Sequence, residues 1–177
     1  MKTIILFLTF SFTFCPDGIC QETNPAMQKL KSLDFLTGDW AVTTELRLSA
    51  QGPWEKSGGT SVIKKVVGAT IIEEDYSGTH QGKAYFTRSM FAVNNLNLKY
   101  QLIFADSDHG VMIDYEGEGV DSTFIFDKIW VYANQSTVKL RTVYTMISKN
   151  EFKIENMRMP QGTTVWDVTG RKYYKRQ

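Results

Sequence analysis

The sequence predicts an all-β domain: a single antiparallel up-and-down β-barrel of about ten strands, with a short helix at its N-terminal side. Two observations predict it. From Trp40 onward, apolar and polar residues alternate with a period of two in one run after another. Nearly every run is joined to the next by a short turn rich in Gly, Asn or Asp. A meander of that many strands carries two unpaired edges unless it closes on itself, and closure removes both.

The chain opens Met1-Lys2, continues through the uncharged apolar run 4–14, and reaches Pro16-Asp17-Gly18-Ile19-Cys20. A basic start, a short apolar stretch, a breaker and small residues describe a signal peptide over residues 1–20, with cleavage expected between Cys20 and Gln21. The run is too short for a membrane span. A lipid-anchored cysteine is the competing reading, but Phe14 and Ile19 stand before Cys15 and Cys20, where that processing needs a small residue. The expected protein is therefore exported, periplasmic or secreted. Residues 21–177 contain no cysteine and form one domain large enough to bury a core without disulfides. The 20 Lys and Arg nearly balance the 19 Asp and Glu, so no net field selects nucleic acid or an anionic membrane.

Asn24 is a suitable N-cap and Pro25 a suitable first helical residue, and Met27, Leu30 and Leu33 recur on one stripe up to Gly38, which ends the helix. Trp40, Val42, Thr44, Leu46 and Leu48 then form the inner face of the first strand. Residues 49–59 hold Pro53 and three glycines and predict a loop, in which Trp54 is either an anchor or a lid over a binding site. Strands are expected at 60–67 and 70–76 around a tight Gly68-Ala69 turn, then at 83–93, 98–105, 111–116, 122–132, 137–147, 151–159 and 164–174.

A closed barrel of this size either encloses one small ligand or fills itself with side chains. The polar residues expected on the inner wall are Arg88, Tyr100, Arg141, Tyr144 and Glu155, and these are the candidate ligand-binding set. Asp114, Glu116 and Glu118 alternate on one strand face and supply the candidate catalytic carboxylates, Asp114 and Glu116 foremost, although a row of like charges also describes a solvated face. No Ser-His-Asp spacing, metalloprotease helix or phosphate-cradling glycine loop accompanies them, so the reading leans away from an enzyme. Asp106-Ser107-Asp108-His109-Gly110 has half the spacing of a calcium loop but lacks the downstream bidentate Glu; a hairpin turn explains it, and no metal is expected.

Leu33-x-x-Leu36-x-Gly38-x-Trp40 at the entry, Asp106-Ser107 at the end of a middle strand and the closing Tyr174-x-Arg176 resemble a bacterial secreted family catalogued only as a domain of unknown function. The Gly-x-Trp entry is similar to that of the lipocalins and fatty-acid-binding proteins, the calycin group. The resemblance implies that Trp40 packs across the closed end of the barrel against a terminal basic residue, Arg176 or Arg171, as structural closure. Val93-Asn94-Asn95 departs from the Gly-Tyr-Asp-like turn that members often carry before the fifth strand. Some calycin-like barrels bind haem through one histidine, which points to His80 or His109; both fall in turns, and no cofactor is expected. The reading is an exported barrel that binds a small apolar or amphipathic molecule. The alternatives are an isomerase or hydrolase using Asp114 and Glu116 with Arg141 or Arg88, and a filled structural or partner-binding barrel.

Overall fold

The computed structural model describes residues 24–47, 49–108 and 110–177. The expected signal peptide with Cys15 and Cys20, as well as Leu48 and His109, lie outside the described residues. Asn24 caps the helix α1 (Pro25–Leu30) by accepting a hydrogen bond from the Ala26 amide on its side-chain oxygen at 2.9 Å. The chain then tightens into a 3-10 helix over Lys31–Leu36. With three residues per turn, Leu30, Leu33 and Leu36 all fall on the face against the barrel and are buried. Met27, expected on that stripe, is exposed, and Ala26 occupies the buried position.

Ten strands follow: β1 (Gly38–Leu46), β2 (Glu55–Val66), β3 (Ile71–His80), β4 (Lys83–Val93), β5 (Tyr100–Asp106), β6 (Met112–Val120), β7 (Thr123–Val131), β8 (Thr137–Ser148), β9 (Glu151–Pro160) and β10 (Asp167–Arg176). Each pairs antiparallel with its neighbours in sequence, and β1 pairs with β10 from Trp40↔Arg176 to Leu46↔Gly170, which closes the barrel. Several boundaries differ from expectation: β6 runs on to Val120, β10 spans Asp167–Arg176, β2 begins at Glu55 and β3 runs on to His80. The glycines that suggested loops there are cross-strand partners, Gly59↔Gly78, and the Tyr76 ring lies flat over both. A Cβ on Gly59 would stand 2.8 Å from that ring, so glycine makes room for an inward aromatic.

The helical end of the barrel is packed solid. Trp40 donates its indole N–H to the Leu36 carbonyl at 2.8 Å and meets Phe152 edge-on at 4.8 Å. Phe152 stacks on Tyr174 at 4.1 Å, while Phe91, Phe126 and Tyr144 form a second group with centroids 5.3–6.0 Å apart. The Arg176 guanidinium covers the outer face of Trp40, 4.4 Å from the ring, and donates to the Thr37 carbonyl at 3.0 Å. Gly38 has φ +138°, and the Arg176 side chain fills the space a Cβ there would need. Trp54 is an anchor: Arg47 and Arg171 stack on its ring, each 4.6 Å from its centroid. Among the described residues no helix is long and apolar enough to cross a membrane.

Candidate functional site

The other half of the barrel interior is polar and partly hollow. The alternation of β3 turns Ile72, Glu74 and Tyr76 inward, and that of β10 turns Lys172 and Tyr174 inward. Glu74 is 2% exposed and Lys172 8%. Charged groups are seldom buried so far unless hydrogen bonds or a partner compensate them.

Glu74 is compensated on one oxygen. Its Oε1 accepts hydrogen bonds from Ser61 Oγ at 2.9 Å and from the Tyr174 hydroxyl at 2.7 Å. Lys172 is held differently: its Nζ lies 4.1 Å from the centroid of Tyr76, whose hydroxyl is 3.3 Å from Thr44 Oγ1. Lys172 makes no ion pair or hydrogen bond through Nζ with a described residue, Glu74 included.

Both residues line a cavity of about 130 Å³. Its polar wall also includes Tyr115, Tyr144, Thr142 and Asn156, and its apolar wall includes Leu102, Leu140, Ile154 and Met157. Thr142 donates to Asn156 Oδ1 at 3.0 Å, which fixes the amide. Thr169, at the point where the β9–β10 register shifts, lines this cavity and also a recess of about 220 Å³ with Leu46, His80, Tyr85 and Asp108.

Burial governs the electrostatics. It pushes the hydroxyl pKa of Tyr144 and Tyr174 well above the usual tyrosine value, and the nearby Glu74 adds to the rise. Tyr85 is raised by burial first, then by Asp106 and Asp108. Burial lowers the Lys172 ammonium below the usual lysine value, with Glu74 and Asp106 opposing.

Of the residues expected on the cavity wall, Tyr144 and Arg141 line it. Tyr100 points inward but at the solid end, where its hydroxyl is 2.6 Å from Ser32 Oγ and 3.3 Å from the Lys29 carbonyl and ties the helix down. Arg88 and Glu155 require correction. Arg88 is exposed and pairs with Asp75 at 2.7 Å, since Thr87, Ser89 and Phe91 take the inward positions of β4. Arg141 lines the cavity, while its guanidinium forks onto Asp127 with two bonds of 2.7 Å and stacks on Trp166 at 4.4 Å. Glu155 joins Lys153 at 2.9 Å and Arg171 at 3.5 Å.

The candidate catalytic carboxylates face outward too. Asp114 is bound to Lys128 at 2.6 Å, which holds its carboxyl below the usual range, and Glu116 lies 3.5 Å from Lys99. His80 Nδ1 is 2.7 Å from Asp108 Oδ2 in the recess at the open end. Among the described residues no three His, Cys, Asp or Glu side chains gather to hold a metal.

Glu74 and Lys172 were not among the expected residues, yet the signal was present. Glu74 shares the parity of Ile72 and Tyr76, and Lys172 that of Tyr174.

A closed ten-stranded barrel with one packed end and one polar, hollow end is a calycin-like architecture. Residues 26–176 match the family described as "Protein of unknown function (DUF1579)", and the chain belongs to that family. The barrel is similar to the crystal structure of Rv2717c from M. tuberculosis, with a TM-score of 0.59 and 13% identity over 84% of this chain and 97% of that one. It is also similar to the S-type phycobiliprotein lyase CPES from Guillardia theta, with a TM-score of 0.54 and 9% identity over 83% of this chain and 91% of that one. At such identities the likeness is one of fold. Among curated proteins, none matches the chain.

Proposed function

We propose that this is an exported protein whose barrel binds a small apolar or amphipathic molecule, with a polar group directed at Glu74 and Lys172. The observation that carries the reading is the cavity of about 130 Å³, lined by both apolar and polar side chains, which shares Thr169 with the recess. The packed aromatic half gives it a rigid floor, because Tyr144 belongs both to the aromatic group and to the cavity wall. Strand-borne side chains hold their positions better than loop residues do, so the pocket is formed before any ligand arrives.

Native mass spectrometry of protein purified without detergent from the periplasm or culture medium tests this. A stoichiometric extra mass, released by denaturing extraction, is the expected result. A clean apo mass together with no uptake of small aromatic or aliphatic probes at millimolar concentration refutes it. Sequencing of the same material from Gln21 tests the export reading.

A further inference from the structure

We propose that Lys172 is a covalent anchor, whose amine captures a small aldehyde or ketone in the barrel cavity as an imine, with Glu74 as the facing carboxylate. The inference rests on the reading that the cavity admits a small molecule, and it names the chemical class.

Lys172 is the starting point. A buried lysine is normally paired, and this one is not: its Nζ has a ring face at 4.1 Å and no hydrogen-bond acceptor among the described residues. Screening from water favours the neutral amine, and burial is the largest influence on this group. A neutral, desolvated amine is the form in which lysine attacks carbonyl carbon. The position is also rigid. Lys172 pairs with Thr44 across β1–β10, and Thr44 lies beside the hydroxyl of the same Tyr76 ring that supports the amine.

Glu74 supplies the complementary charge. Ser61 and Tyr174 both bind Oε1, and Oε2 receives no hydrogen bond from a described residue although Glu74 lines the cavity. The chemistry balances without an oxidant or reductant. The amine lone pair adds to the carbonyl carbon, one N–H proton passes to the oxygen, and the carbinolamine then loses its hydroxyl group with a proton as water. The products are one imine and one water. When protonated, the imine carries the same single positive charge as the lysine ammonium, which Glu74 on the wall of the same cavity favours. The cavity, about 130 Å³, is close in size to one that holds a benzene-sized molecule.

The test uses the full chain with two probes, benzaldehyde and benzyl alcohol, which share a ring but differ in the carbonyl. Benzaldehyde is added at substoichiometric concentration with sodium cyanoborohydride, which reduces an imine to a stable secondary amine, and the modified lysine is located by peptide mapping. Benzyl alcohol binding is followed by ligand-observed NMR. The expected result is labelling of Lys172 at least about tenfold above the exposed Lys56 and Lys175. Lys172→Met should abolish that label; if it does not fold, the map of the unmodified chain decides alone. Binding of benzyl alcohol with Lys172 labelled no more than Lys56 overturns the covalent anchor and leaves the binding barrel intact. Failure of both probes overturns both.

Discussion

Replacing Glu74 by leucine keeps the side-chain volume approximately and removes the acceptor for two buried donors. Ser61 Oγ and the Tyr174 hydroxyl, now 2.9 and 2.7 Å from Oε1, would each be left unsatisfied, at about 1–3 kcal/mol per group. Lys172 would also lose its facing charge. The combined loss expected is about 3–5 kcal/mol, the range for removing one member of a buried charged set. Glu74→Gln keeps an oxygen for both donors and should lose only about 1–2 kcal/mol. Glu74→Leu with Lys172→Met removes both buried polar groups, and its loss should fall short of the sum of the single losses by at least about 1 kcal/mol. Urea unfolding followed by tryptophan fluorescence and far-UV circular dichroism measures each value, with a constant m as the check that the same transition is compared. A Glu74→Leu loss below about 1 kcal/mol, or a Gln variant as unstable as the Leu variant, refutes the reasoning.

The barrel should unfold in alkali. Tyr85, Tyr115, Tyr144 and Tyr174 have hydroxyl pKa values raised in the folded state, so the stability they confer is whole below pH 10 and is lost as pH climbs through the folded values, at about 1.4 kcal/mol per pH unit for each. Lys172, lowered on folding, acts with the opposite sign between its folded value and 10.5, so the net decline sets in above about pH 10. Tyrosinate absorbance at about 295 nm should rise for these residues only as the far-UV signal collapses; full ionisation of all 8 tyrosines in a folded barrel would contradict this. Arg176→Ala removes the guanidinium from Trp40 and from the Thr37 carbonyl, and a loss of about 1–3 kcal/mol with a shift of the tryptophan emission should follow. Arg88→Ala and Glu155→Gln, both on the outer wall, should leave benzyl alcohol affinity within about twofold, and a larger effect would place them at the site after all. Gly59→Ala should tilt Tyr76 and release Lys172 from its ring, visible as a perturbed Lys172 side-chain resonance in selectively labelled protein.

The strand count and the closed topology were legible because each strand's apolar parity survives in the sequence, from Val42 on β1 to Tyr174 on β10. The helix was legible through Asn24 and Pro25, but its tightening to three residues per turn was not, since Met27 and Ala26 are both apolar and only packing chooses between them. The candidate site was harder to read. Arg88 reads as an inner-wall residue, yet an outward carboxylate, Asp75, stands opposite it on the neighbouring strand. Glu74 hid between Glu73 and Asp75, where an acidic run reads as a solvated face although its middle member shares parity with Ile72. Gly59 and Gly78 gave a false loop signal because the ring they accommodate comes from a residue whose inward position depends on the register.

The seam between β1 and β10 has a kinetic consequence. It joins parts of the chain as far apart as Thr37 and Arg176, 139 residues in sequence, so the loop-closure entropy of nearly the whole domain must be overcome before the last ladder forms. Lys172 and Tyr174 arrive on β10, which leaves the ribosome after every other strand. Until that strand docks, the sheet has two open edges and Glu74 lacks one of its two donors. Folding and the appearance of the cavity are therefore one event, and a chain caught short of it has a sticky edge in place of a pocket.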